Sequence, residues 1–81
     1  MNSKDYNYID LKGLSCPIPI LKIKRYIQKM AHGELLHIKA TDSMIKIDLP
    51  IFCHETGNEL LSIDEVNEEI ICIILVKNLE C

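Results

Sequence analysis

The hydrophobic positions change period several times along the chain. Residues 6–11 (YNYIDL) are rich in aromatic and branched side chains and read as a first strand, which Lys12-Gly13 ends. From residue 17 to 31, Ile20, Ile23, Ile27, Met30 and Ala31 recur at helical spacing. Lys22, Arg25 and Lys29 fall together on the opposite face, so this segment predicts an amphipathic helix that Gly33 stops. Residues 34–40 predict a second strand. Asp42 or Ser43 then caps a second helix running toward Gly57, with Pro50 either kinking it or moving its start later. Residues 59–64 and 69–77 predict two further strands. The four residues between them are few enough for a hairpin, which makes the last two strands antiparallel.

The predicted order is β-α-β-α-β-β. Right-handed crossovers put both helices on one face of a four-stranded mixed sheet, an α/β fold in two layers that leaves the other sheet face open. At 81 residues the chain predicts a single domain, too small for a deep enclosed active site or a large sunken cofactor. Any chemistry has to sit near the surface.

Charge adds an asymmetry. Residues 1–33 carry six Lys/Arg against two acids, whereas residues 34–81 carry three against ten. Such a division gives one basic and one acidic region able to steer partners, or two ordinary solvated faces. A net charge of −3 with one Phe and three Tyr argues against nucleic-acid binding by base stacking. The first residues show no apolar stretch of a signal peptide, and the apolar run at residues 70–76 is far short of a membrane span, so no membrane association and a cytoplasmic location are expected.

Four cysteines could mean staples, a metal or a reactive thiol. Cys16, Cys53, Cys72 and Cys81 are 37, 19 and 9 positions apart, so no pair has the close spacing that lets two thiolates share a zinc. His32, His37 and His54 complete no ligand pattern, and neither metal nor other cofactor is expected. A reducing compartment gives no reason for a disulfide framework. Cys72 lies inside IICIILV and reads as core, Cys53 reads as packing on the second helix, and Cys81 as a tail thiol.

Cys16 stands apart. It lies in GLSCPIPILK, between the first strand and the first helix, where Pro17 and Pro19 suit a helical first turn and stiffen the backbone. The helix N-terminus favours an anion there by roughly 0.3–1 kcal/mol, which predicts a thiol slightly more acidic than usual. His32 lies at the far end of the same helix, about 20 Å away by helix rise, and cannot serve as its base. An exposed thiol without an internal base suits a group carrier that one protein loads and another unloads. On these residues alone, a buried cysteine that merely precedes a helix remains an equal alternative.

The segment IDLKGLSCPIPILKIKRYI resembles the signature of the TusA/SirA-like sulfur-carrier family, marked by Cys-Pro-x-Pro between first strand and first helix. Gly13 and Leu14 before the cysteine, Gly33-Glu34 after the helix, Asp42, Asp48-Leu49-Pro50 and Thr56-Gly57-Asn58-Glu59-Leu60 extend the likeness over nearly the whole chain. Three positions depart from the family's common pattern: Ile18 where Glu often stands between the prolines, Ser43 in place of Pro, and Ile47 where Arg often precedes the Asp.

The resemblance implies the same β-α-β-α-β-β sandwich. It implies that Cys16 accepts sulfane sulfur as a persulfide from a cysteine desulfurase or rhodanese-type donor. A downstream acceptor protein then takes it, in tRNA 2-thiouridine formation, molybdenum cofactor assembly or other sulfur trafficking. Gly13, Pro17 and Pro19 support the motif, and Lys22, Arg25 and Lys29 are candidates for docking an acidic partner surface. Such a protein is a sulfurtransferase-type carrier with a covalent intermediate, expected as a monomer, and not an independent turnover enzyme. Two alternatives stay open: a non-catalytic regulatory or nucleic-acid-binding module using the basic helix and open sheet face, and a redox protein pairing Cys16 with Cys53.

Overall fold

Residues 7–77 are described by the structure, a computed structural model. Strand β1 (Asn7–Leu11) leads into helix α1 (Ile18–Ile27), strand β2 (Leu35–Ala40), helix α2 (Ile45–Thr56), and strands β3 (Glu59–Val66) and β4 (Glu69–Leu75). The sheet order is β1-β2-β4-β3, with β1 parallel to β2 and both remaining pairs antiparallel. The element order and mixed sheet are those the hydrophobic pattern predicts. Tyr6, where the predicted first strand begins, and Cys81, read as a tail thiol, lie outside the described residues.

Strand alternation sorts the two sheet faces. Leu36, Ile38 and Ala40 of β2 and Ile70, Cys72 and Ile74 of β4 are buried, each separated from the next by a half-buried residue. Ile23 and Ile27 of α1 and Ile45, Leu49 and Cys53 of α2 join them in one core. Both helices therefore cover the same sheet face. Burying each of these aliphatic side chains contributes about 1.5–3 kcal/mol.

Local chemistry moves several predicted boundaries. Helix α1 begins at Ile18, with Pro17 at its N-cap and Pro19 inside the first turn, so only the second proline is helical. It ends at Ile27 and not at residue 31. Lys29 and Met30 donate their N–H groups to Tyr26 and Ile27, three residues back, which tightens the last turn and breaks the helical ladder. Met30 still reaches the core, while Ala31 is exposed.

Helix α2 runs through Pro50 unbroken, and neither Asp42 nor Ser43 is its cap: Met44 takes that position without a side-chain cap. Gly57 closes the helix at φ 81, a left-handed conformation that glycine adopts at no steric cost. The hairpin is tighter than the four residues expected. Strand β3 continues to Val66, and only Asn67 (φ 52) and Glu68 (φ 68) form the turn. Positive φ at both positions is the two-residue turn whose twist matches paired strands.

Candidate functional site around Cys16

Parallel neighbours β1 and β2 bring the loops that follow their C-terminal ends side by side. The first loop carries Cys16 and the second carries Thr41 and Asp42. Two hydrogen bonds tie them together. Gly13 donates its backbone N–H to Thr41 Oγ1 at 2.9 Å, and Cys16 donates its own to Asp42 Oδ2 at 2.6 Å. Gly13 has φ 84, so this turn uses the backbone freedom that only glycine has cheaply. The other Asp42 oxygen accepts the N–H of Met44 at 3.1 Å, so one carboxylate organises both the cysteine loop and the entry to α2.

The thiol itself is exposed and faces a small hollow lined by Pro19, Ile20, Asp42, Met44, Ile45 and Asp48. Cys16 Sγ donates to Asp48 Oδ2 at 3.3 Å. That contact corrects the expectation of a slightly acidified thiol. The hydrogen bond to Asp48 is the main cause that raises the Cys16 pKa, with desolvation and the negative charges of Asp48 and Asp42 adding to it. The Ile18 amide, one candidate for helping an anion, is already donated to the Ser15 carbonyl at 2.9 Å. Free Cys16 is therefore held as a neutral thiol.

Both helices also carry exposed apolar side chains. Ile18 and Leu21 of α1 and Met44, Ile47 and Ile51 in and beside α2 are exposed large hydrophobics, Ile47 at 57%. A second hollow of about 250 Å³ between Pro17, Ile20, Asp48, Ile51, Phe52 and Glu55 continues the same surface. Exposed apolar area rimmed by charge is the usual composition of a protein-docking face.

Of the predicted basic residues, Lys22 and Arg25 lie farther along α1 and Lys29 just past its end. Lys22, Arg25 and Lys29 line a groove of about 490 Å³ with Asn7, Ile9 and Tyr26. None of the ion pairs among the described residues uses any of the three. The groove does not include Cys16, so these cations stand beside the thiol site and not within it.

The other cysteines separate cleanly. Cys53 and Cys72 are buried, and burial pushes each thiol up to about 11. Cys16 and Cys53 are both free, one exposed and one in the core, so the structure contains no Cys16–Cys53 pair. Among the described residues no cluster of His, Cys, Asp and Glu could hold a metal ion. No described helix is long and apolar enough to cross a membrane. In the sequence Asp42 was legible as a candidate helix cap and as part of a family pattern, and Asp48 only as part of that pattern. Their contacts with Cys16 span 26 and 32 positions and arise from the fold.

Comparison with known proteins agrees with this arrangement. The family described as "Sulfurtransferase TusA" matches residues 7–77. The sulfur carrier protein TusA of Allochromatium vinosum is 42% identical over 57 residues, 70% of this chain and 75% of that one. The sulfur carrier protein TusA of Pseudomonas putida is 39% identical over 57 residues, covering 70% of this chain and 71% of its own. A crystal structure of a SirA-like protein from Desulfitobacterium hafniense superimposes with a TM-score of 0.77 over 88% of this chain and 97% of that one, at 20% identity. That likeness shows the fold. With its Cys-Pro-Ile-Pro turn between β1 and α1 and this match across all the described residues, the chain belongs to the TusA sulfurtransferase family.

Proposed function

We propose that this chain is a sulfur carrier that holds sulfane sulfur as a persulfide on Cys16 and delivers it to an acceptor thiol. The observation that carries the reading is the placement of Cys16. It is exposed, fixed through its backbone N–H by Asp42, and opens on a hollow shared with the exposed Met44. A donor must reach this sulfur and an acceptor must reach it afterwards, and a surface site admits both in turn.

Loading is a thiol–persulfide exchange. Cys16 loses its proton and attacks the terminal sulfur of the donor's cysteine persulfide. A new S–S bond forms at Cys16, the donor's S–S bond breaks, and the donor thiolate leaves and takes up a proton. Delivery repeats the exchange, with the acceptor thiolate attacking the terminal sulfur and Cys16 leaving. Neither step changes the total oxidation state, so no oxidant or cofactor is required. The donor is a cysteine desulfurase or rhodanese-type protein, and Lys22, Arg25 and Lys29 steer acidic partner surfaces toward the site. The shared core of the described residues supports treating residues 1–81 as one carrier domain.

Incubation with a cysteine desulfurase and cysteine labelled in sulfur tests this. Reductant-labile label is expected on the wild type and absent from Cys16→Ala. Equal labelling of both proteins refutes the role of Cys16, and equal absence with a panel of desulfurase and rhodanese donors refutes the carrier reading.

A further inference from the structure

Asp42 and Asp48 stand on the same side of Cys16 but have different commitments. Both oxygens of Asp42 are engaged by backbone N–H groups, those of Cys16 and Met44. Among the described residues the Asp48 side chain accepts no backbone N–H; its hydrogen bond there is the one it accepts from Cys16 Sγ at 3.3 Å. It is held in place by α2 itself, where its own N–H donates to the Met44 carbonyl at 2.8 Å. One aspartate therefore shapes the loop, and the other meets the thiol.

We propose that Asp48 is a positioning residue that latches Cys16 as a neutral thiol in the free carrier, so that sulfur acceptance begins when the Sγ–Asp48 hydrogen bond breaks. The surroundings favour the protonated sulfur. From α1 the hollow receives Pro19 and Ile20, which are uncharged; from the segment before α2 it receives Asp42 and Met44; from α2, Ile45 and Asp48. Among the described residues, both charged groups facing the sulfur are carboxylates, and no cation lines the hollow. A thiol can donate to Asp48, whereas a thiolate meets it with like charge. Oxidants and stray disulfides react with thiolates, so the latch shields the resting carrier.

The latch does not trap the product. In a loaded Cys16 the negative charge sits on the terminal sulfur, one S–S bond or about 2 Å from Sγ. Sγ then carries no proton to donate, so the hydrogen bond that held the thiol does not exist in the loaded form.

The pH profile of Cys16 alkylation by iodoacetamide, with label assigned to Cys16 by peptide mapping, tests the latch. Asp48→Asn keeps the shape and an acceptor oxygen but removes the charge; Asp48→Ala removes both. Asp64→Asn, on the exposed surface of β3, controls for net charge. Both Asp48 variants are expected to move the profile to lower pH and to alkylate at least threefold faster at neutral pH, with Asp64→Asn unchanged. Profiles that superimpose on the wild type, or an equal shift in Asp64→Asn, overturn the proposal. Should Asp48→Ala fail to fold, the isosteric Asp48→Asn decides alone. The proposal rests on the carrier reading for its purpose, yet alkylation needs no sulfur donor. A shifted profile in a protein that never takes up sulfur defeats the carrier reading and leaves the latch standing; an unshifted profile in a protein that loads normally does the reverse.

Discussion

Cys16 at the loop end of the sheet and the Cys53/Cys72 pair beneath the helices are the same residue type in opposite circumstances. All three thiols are held neutral, but for different reasons. Cys53 and Cys72 are raised chiefly by desolvation, which the core imposes for as long as the protein is folded. Cys16 is raised chiefly by one hydrogen bond to one carboxylate at an exposed position. A restraint made by the core cannot be lifted without unfolding. A restraint made by Asp48 can be lifted by a partner that docks on the apolar rim and redirects either side chain. The difference teaches that exposure alone does not make a cysteine reactive, and that quiescence at rest is compatible with a transfer role.

The strongest way to break the comparison is to delete each thiol in turn. Cys16→Ala is expected to lose sulfur uptake completely while melting with the wild type, because its side chain is exposed. Cys53→Ala is expected to keep uptake and lose about 1 kcal/mol or more of stability by denaturant titration, as buried volume is removed. Uptake surviving at Cys16→Ala and vanishing at Cys53→Ala would invert the two regions.

Adjacent residues on α2 sharpen the same contrast. Leu49 is fully buried beside Asp48, so Leu49→Ala should cost about 2–5 kcal/mol in equilibrium unfolding. Asp48→Asn should barely move the unfolding midpoint while shifting Cys16 alkylation. If both substitutions acted on stability alone, the site and the core would not be separable.

A smaller effect is expected from the basic groove. Reversing Lys22, Arg25 and Lys29 to Glu should slow loading by an acidic donor roughly tenfold at low salt, and added salt should narrow the gap. Unchanged loading kinetics would leave those cations as solvated surface, and abolished function with loading intact would favour the regulatory or nucleic-acid-binding reading.

A last contrast concerns alkaline stability. Cys53 and Cys72 have folded pKa values raised from 9.0 to about 11. A raised folded value means that the unfolded chain releases the proton first as pH rises. Their contribution is therefore whole below pH 9 and is lost progressively as pH climbs from 9 to about 11. Denaturant midpoints should fall in that window, and less steeply in Cys53→Ala. An equal slope in the variant would remove Cys53 from the explanation.

How much of this was legible beforehand follows from range along the chain. The stripe of Ile23, Ile27 and Met30 and the alternation in IICIILV report local periodicity, and both led to the right layers. Cys16 was legible because strand, motif and helix are contiguous. The end of α1 was not, since Met30 and Ala31 continue the apolar spacing while the backbone tightens at residues 28–30. The hairpin was read two residues too long because Glu68 is a poor signal for positive φ, although Asn67 beside it is a good one. The protonation of Cys16 was read in the wrong direction for a deeper reason. The helix terminus is visible in local sequence, whereas Asp48 arrives through the register of β1 on β2 and the crossover into α2.

The central claim is that one cysteine, Cys16, bears the transferred sulfur. Peptide-level mass spectrometry of the desulfurase-loaded protein tests it most directly. The account predicts one added, reductant-labile sulfur atom on the peptide containing Cys16, and its disappearance when an acceptor thiol is supplied. Added sulfur on the peptides containing Cys53, Cys72 or Cys81, with Cys16 unmodified, would contradict it.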